Sequence, residues 1–278
     1  MKRKPNIVLF FLVSVIAVSC NKDNSIISSS RTVDPFQAIC MKDNINVRLK
    51  HSDLSNPVGT IVLRCPEKLM DTNIIVTKTK ENTLYISNNQ LFSWTNNYDD
   101  CSLTVYFDCL REIQYESLGS LISDDTIYGM KKTRIDTIIF YNDSISNFDT
   151  IIKPTRSRSF RLFVNSGSGD IDLTLKVQVY KGEYSLGTSK ITLKGERTYG
   201  DTLSYSEHVS RFFGRIDASE LESEIVVVSS ESPNDILVWV NNRLEANLRY
   251  LGDVYYKKGL KPIIFDTICT HGGHVKPL

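Results

Sequence analysis

The chain has 278 residues, with 33 Lys plus Arg against 32 Asp plus Glu, a formal net charge of +1 and 41% apolar residues. That near-neutral balance leaves no electrostatic footprint for nucleic acid. The length suffices for one large β domain or two smaller ones, and the sequence has no long basic run and no heptad seam.

At the start, Lys2, Arg3 and Lys4 precede an apolar run from Ile7 to Val18. A positive head and a short apolar core predict a signal peptide over residues 1–19. A membrane-spanning helix needs roughly 20 apolar residues, so this run is too short for one. Losing the three basic residues with the leader turns the charge slightly negative. The run ends Ala17-Val18-Ser19-Cys20, which resembles a bacterial lipobox although Ala17 replaces the more usual leucine. The resemblance implies cleavage before Cys20 and lipidation of its sulfur, hence membrane attachment through a lipid anchor. A plain secretory leader with an incidental cysteine is the alternative. Residues 20–32, from Asn21-Lys22-Asp23-Asn24 into a serine-rich stretch, read as a flexible tether reaching on the order of 20 Å. The Lys-Asp pair resembles export signals of surface lipoproteins of the Bacteroidetes. An outer-membrane address follows as an expectation, and cell-surface exposure as a further one.

From residue 33 to 118 short apolar runs alternate with turn formers. Val33, Phe36, Ile39, Ile45, Val47 and Leu49 come first, then Ile61-Val62-Leu63, Ile74-Ile75-Val76, Leu84-Tyr85-Ile86, Leu103 to Phe107 and Ile113; Asn56-Pro57, Cys65-Pro66 and Asn88-Asn89 are among the breaks. These predict strands and little helix. Residues 123–160 read as an irregular excursion.

One short pattern then recurs between Val164 and Tyr256. Glycine or another turn former and then a charged residue precede a β-branched residue, which falls at Ile171, Ile191, Ile216, Ile236 and Val254. A spacing near 20 residues marks stacked supersecondary units. Period-2 alternation predicts those five side chains inward, with Leu173, Leu193, Ala218, Val238 and Tyr256 as a second inward column. The phrase Leu221-Glu222-Ser223-Glu224-Ile225 echoes Leu244-Glu245-Ala246-Asn247-Leu248, which predicts equivalent places in successive units. Stacking at roughly 4.8 Å would set Asp170 against Lys190 and Arg215 against Asp235, as a binding ladder or as a solvated ion-pair ladder.

The order of Val33-x-x-Phe36-x-x-Ile39, Asn46-Val47-x-Leu49, Leu84-Tyr85-Ile86, Leu103-x-Val105 and the repeats ending in Gly252-Asp253-Val254-Tyr255-Tyr256 resembles the family described as "putative auto-transporter adhesin, head GIN domain". Thr188-Ser189 and Pro233-Asn234 depart from it, standing where glycine is usual. The resemblance covers roughly Thr32 to Gly259. It implies an all-β, right-handed single-stranded β-helix (β-solenoid) with short irregular excursions over residues 33–259, followed by a C-terminal extension at 260–278. It also implies an adhesin-like envelope protein of the Bacteroidetes.

Candidate chemistry is sparse. Apart from Cys20, cysteines stand at 40, 65, 101, 109 and 269, an odd number whose pairing the sequence leaves open. Cys101 and Cys109 share strand parity and lie too far apart to pair with each other on a continuous strand; buried free thiols are the simpler reading. Cys269-x-His271-x-x-His274 carries ligand-type residues, but a closed zinc site needs four of them, so it reads as a frayed, exposed tail with no metal. His51 and His208 read as isolated surface histidines. The sequence offers no nucleophile elbow, P-loop or cofactor motif, and no catalytic residue or cofactor is assigned. Trp94, Trp239, Tyr255 and Tyr256 either stack on sugar rings or cover a core edge. The expected function is therefore a non-enzymatic, adhesin-like contact surface for a polysaccharide or an envelope protein. Asp172, Thr192, Asp217 and Trp239 are its candidate contacts. Two alternatives remain. A polysaccharide lyase-like enzyme would draw on Asp172, Arg215 and Asp217. A scaffold would stack end to end, and capping at Leu260 to Phe265 would argue against it.

Overall fold

The computed structural model describes residues 25–67, 75–88, 101–132, 157–195, 205–260 and 262–278. These residues form one large mixed β-sheet. In chain order its strands are β1 (Ile26–Thr32), β2 (Ala38–Asp43), β3 (Asn46–His51), β4 (Thr60–Pro66), β5 (Ile75–Lys80), β6 (Thr83–Asn88) and β7 (Ser102–Phe107). Then come β8 (Glu112–Ser117), β9 (Leu121–Ser123), β10 (Ile127–Tyr128), β11 (Met130–Lys132), β12 (Ser157–Gly167), β13 (Ile171–Lys176) and β14 (Val179–Tyr184). The last are β15 (Lys190–Gly195), β16 (Tyr205–Ser210), β17 (Arg215–Ser230), β18 (Ile236–Leu248), β19 (Val254–Lys258), β20 (Ile264–Cys269) and β21 (Val275–Pro277).

Parallel pairing sorts most of these strands into two ladders. The first runs β6, β2, β8, β12, β14, β16, the second half of β17, the second half of β18, and β20. The second runs β7, β3, β9, β13, β15, the first half of β17, the first half of β18, β19 and β21. Along the chain a first-ladder strand, a corner and a second-ladder strand follow one another as one rung. Rungs succeed in chain order except near the start, where β6 and β7 lie on the far side of β2 and β3. Beyond them the order turns antiparallel, β1 on β4, β4 on β7, and β5 on β6.

The inward residues of both ladders make one buried core. Ile171, Ile191, Ile216, Ile236 and Val254 are register partners in succession and each is at most 1% exposed, as the repeat predicts. Each such side chain contributes about 1.5–3 kcal/mol by leaving water. Leu173, Leu193, Ala218 and Val238 are buried beside them, and Tyr256 closes that column half-buried.

Three expectations change. The Leu221 and Leu244 phrases are not equivalent, because Leu244 pairs with Val226 while Leu221 lies in the corner of β17. That corner takes more residues than the corner of β18, so the sequence frame slips between them. Residues 26–32, read as tether, form β1 along β4 with every side chain exposed. With no inward face, the strand leaves no hydrophobic period. His208 is fully buried rather than on the surface, and His51 is half-buried, its Nε2 2.7 Å from the Thr126 carbonyl oxygen and its ring against Phe107 and Tyr128.

At the N-terminal end a disulfide joins Cys65 to Cys101. Arg64 faces Ser102 across the β4–β7 pair, so antiparallel register sets the two cysteines opposite each other. Cys40 is buried and free, Cys109 half-buried and free, and Cys269 exposed and free. Burial raises the Cys40 and Cys109 thiols above their ordinary range, which suits packing and not nucleophilic chemistry.

Candidate functional site

The outward row of the second ladder brings three of the expected contacts together. Asp172, Thr192 and Asp217 are register partners on consecutive rungs, one residue past the inward isoleucines, and all are half-buried. Leu237 and Tyr255 continue the row. Trp239 sits two residues beyond Leu237, beside Glu222 and Lys257, and so belongs to the adjacent row. Cys20 and Trp94 lie outside the described residues.

Asp172, Asp217 and Trp239 already have local work. Asp172 receives the Lys194 ammonium at 3.1 Å, with both side chains about two-fifths exposed. Asp217 accepts the Ser219 hydroxyl at 2.7 Å and its backbone N–H at 3.2 Å. The Lys257 ammonium stands 3.6 Å from the centre of the Trp239 ring, while the indole N–H is buried without a partner. The row is thus polar at its first three positions, and the row beside it holds one aromatic face capped by a cation.

The charged residue before each inward aliphatic has a different task from the ion-pair ladder expected of it. Asp170 accepts the backbone N–H of Lys190, Asp235 that of Asp253, and Asp253 that of His274. These carboxylates stitch one rung to the next. Lys190 and Arg215 are register partners of like charge. The Lys276 ammonium also binds Asp253. Burial pushes that carboxyl up, but Lys276 and the His274 N–H outweigh it and hold it below the usual range.

The Cys269, His271 and His274 tail is exposed but not frayed, since β20 and β21 extend the two ladders. Among the described residues no group of three His, Cys, Asp or Glu side chains is placed to hold a metal, and no helix is long and apolar enough to cross a membrane.

A cluster that the sequence reading passed over lies inside the first ladder. The Tyr180 and Tyr184 hydroxyls are 2.7 Å apart, and Tyr184 Oη is 3.3 Å from His208 Nδ1. Burial raises both phenols and lowers His208 to about 4. The available signal was Gly182, which pairs with His208 and where any Cβ would collide with the Tyr184 hydroxyl. In the neighbouring rungs Tyr115 Oη lies 2.7 Å from the Gly119 carbonyl oxygen and 3.0 Å from that of Gly169, tying two corners together. Burial pushes this phenol up to about 12.

The family model for the putative auto-transporter adhesin, head GIN domain, matches residues 35–259. The chain belongs to this family. A solved structure described as a putative adhesin from Bacteroides fragilis is similar over 92% of this chain and 98% of its own, at 16% identity and a TM-score of 0.66. Another from Parabacteroides distasonis, described as a putative lipid binding protein, is similar over 92% and 98%, at 14% identity and a TM-score of 0.55. At such identities the likeness is one of fold. No curated protein matches the chain.

Proposed function

We propose that this head GIN domain chain is an envelope-anchored, non-enzymatic adhesin-like protein, held by lipid on Cys20 at the outer membrane and facing the cell exterior. In this reading the two ladders are sheets of one right-handed single-stranded β-helix, and its long flank meets a polysaccharide or an envelope protein. The carrying observation is the register of Asp172, Thr192 and Asp217 on consecutive rungs, above an inward column that fixes their spacing. Carboxylates and a hydroxyl at a repeat of roughly 4.8 Å match an extended chain of hydroxyl groups. Lys257 must leave the Trp239 face before a sugar ring can stack there, so Lys257→Ala should strengthen such a contact.

The test is a panel of immobilised polysaccharides and envelope proteins, read for retention and for new chain ends. Retention without cleavage, weakened when Asp172 and Asp217 are both changed to Ala, is the expected result. Time-dependent release of unsaturated or reducing ends, abolished by the same pair, would make the protein a carbohydrate-active enzyme instead. For the anchor, Cys20→Ala should release the chain from the outer-membrane fraction or leave the precursor uncleaved. Unchanged fractionation and mature mass would refute lipidation.

A further inference from the structure

We propose that β20 is a self-association edge, through which two copies of this chain pair antiparallel about a two-fold axis at Thr267. Residues 262–263 lead into one more first-ladder strand, β20. Among the described residues β20 pairs only with β18, and all six of its side chains are exposed. Ile264 is 57%, Phe265 48% and Ile268 57% exposed. Each strand face carries apolar side chains, with Asp266 between Ile264 and Ile268 on one of them. Phe265, Thr267 and Cys269 continue the inward Leu244, Ala246 and Leu248, while Ile264 and Ile268 stand over the outward Arg243 and Asn247.

The backbone fixes how a partner strand can attach. The Thr270 N–H donates to the Leu248 carbonyl, so by strand alternation Ile268, Asp266 and Ile264 also turn their peptide groups toward β18. Phe265, Thr267 and Cys269 therefore aim N–H and C=O at the open edge. That set is symmetric about Thr267. An antiparallel second copy centred there bonds Phe265 to Cys269 of the other copy, Thr267 to Thr267, and Cys269 to Phe265, satisfying every edge-facing group of the strand. A large ring then sits beside a small thiol, and a threonine faces a threonine, a favourable cross-strand pair. Asp266, held 3.5 Å from Arg243, faces Ile268 of the other copy and avoids its own equivalent.

The remaining outer strands are guarded by residue types that block edge pairing. β5 carries Lys78 and Lys80, β11 carries Lys131 and Lys132, β21 carries Lys276 and Pro277, and β1 carries Arg31 with the exposed Ile26 and Ile27 at its start. Pairing through β20 alone is isologous and closes at two copies, without running on as a filament. One short strand pair is a small interface, so the association is weak and reversible, on the order of micromolar.

Sedimentation equilibrium of the full chain in density-matched detergent tests this, with two substitutions at one position. Thr267→Pro removes an N–H that points away from β18, which leaves the monomer's own pairing intact. Thr267→Val keeps the edge. Wild type and Thr267→Val should show a monomer–dimer equilibrium. Thr267→Pro should raise the dimer Kd by about tenfold or more with an unchanged unfolding midpoint. Wild type that stays monomeric up to near-millimolar concentration, a dimer indifferent to Thr267→Pro, or species that grow beyond the dimer would each overturn the proposal.

Discussion

The second ladder fills its interior with Val47, Leu121, Ile171, Ile191, Ile216, Ile236 and Val254, one aliphatic upon another. In the middle rungs the first ladder points Tyr180, Gly182, Tyr184, Ser206, His208 and Ser210 into the same core. An aliphatic column needs only shape and volume, so its residues are nearly interchangeable. The aromatic and polar column depends on particular partners, a missing Cβ for a phenol and a phenol for an imidazole. The difference separates two duties. The aliphatic ladder fixes the spacing of the outward Asp172, Thr192 and Asp217, while the polar ladder makes the stability of the middle rungs responsive to pH.

The largest effect should come from Ile216→Lys. It buries an unpaired ammonium where the wild-type side chain is 1% exposed, so more than about 4 kcal/mol should be lost, enough to unfold the ladder. A cooperative thermal transition near the wild-type midpoint would deny that this column is the scaffold.

Next comes pH. The folded chain keeps His208 neutral down to about 4, whereas an unfolded histidine takes its proton near its ordinary value of about 6.5. The unfolded state therefore binds more protons between those values, and stability should fall as pH drops from about 6.5 to about 4. The full loss is about 3 kcal/mol. His208→Gln should flatten this part of the stability profile in urea titrations. If the slope survives in that variant, another group carries it.

Gly182→Ala should cost about 1–3 kcal/mol, because the added methyl meets the Tyr184 and Tyr180 hydroxyls of a packed interior. Lys194→Ala sharpens the comparison from the other side. Its exposed pair with Asp172 should contribute less than about 1 kcal/mol, so the melting point should barely move. A large shift would mean that the outward row is structural and not free to meet a partner.

The same contrast explains what the sequence disclosed. Ile171 to Val254 stand out because one β-branched residue returns after each turn signal. β14 and β16 left no such mark. Their inward positions are Tyr180-x-Gly182-x-Tyr184 and Ser206-x-His208-x-Ser210, whose burial rests on hydrogen bonds and on fit between rungs. The Cys65–Cys101 bridge was equally hidden, since it depends on the antiparallel register of β4 and β7, and strand pairing is not a local property of the chain. At the candidate site, the alignment of Asp172, Thr192 and Asp217 was legible from the period. Their local partners Lys194 and Ser219, and the cation over Trp239, were not, because they follow from side-chain reach across and along the rungs.

The central claim is that the outward row of the second ladder is the contact face. Hydrogen exchange read by mass spectrometry, on the chain alone and with the polysaccharide or protein it retains best, tests this directly. The account predicts new protection in β13, β15 and the first half of β17, with the first ladder's β14 and β16 unchanged. Protection confined to β14 and β16 would contradict it.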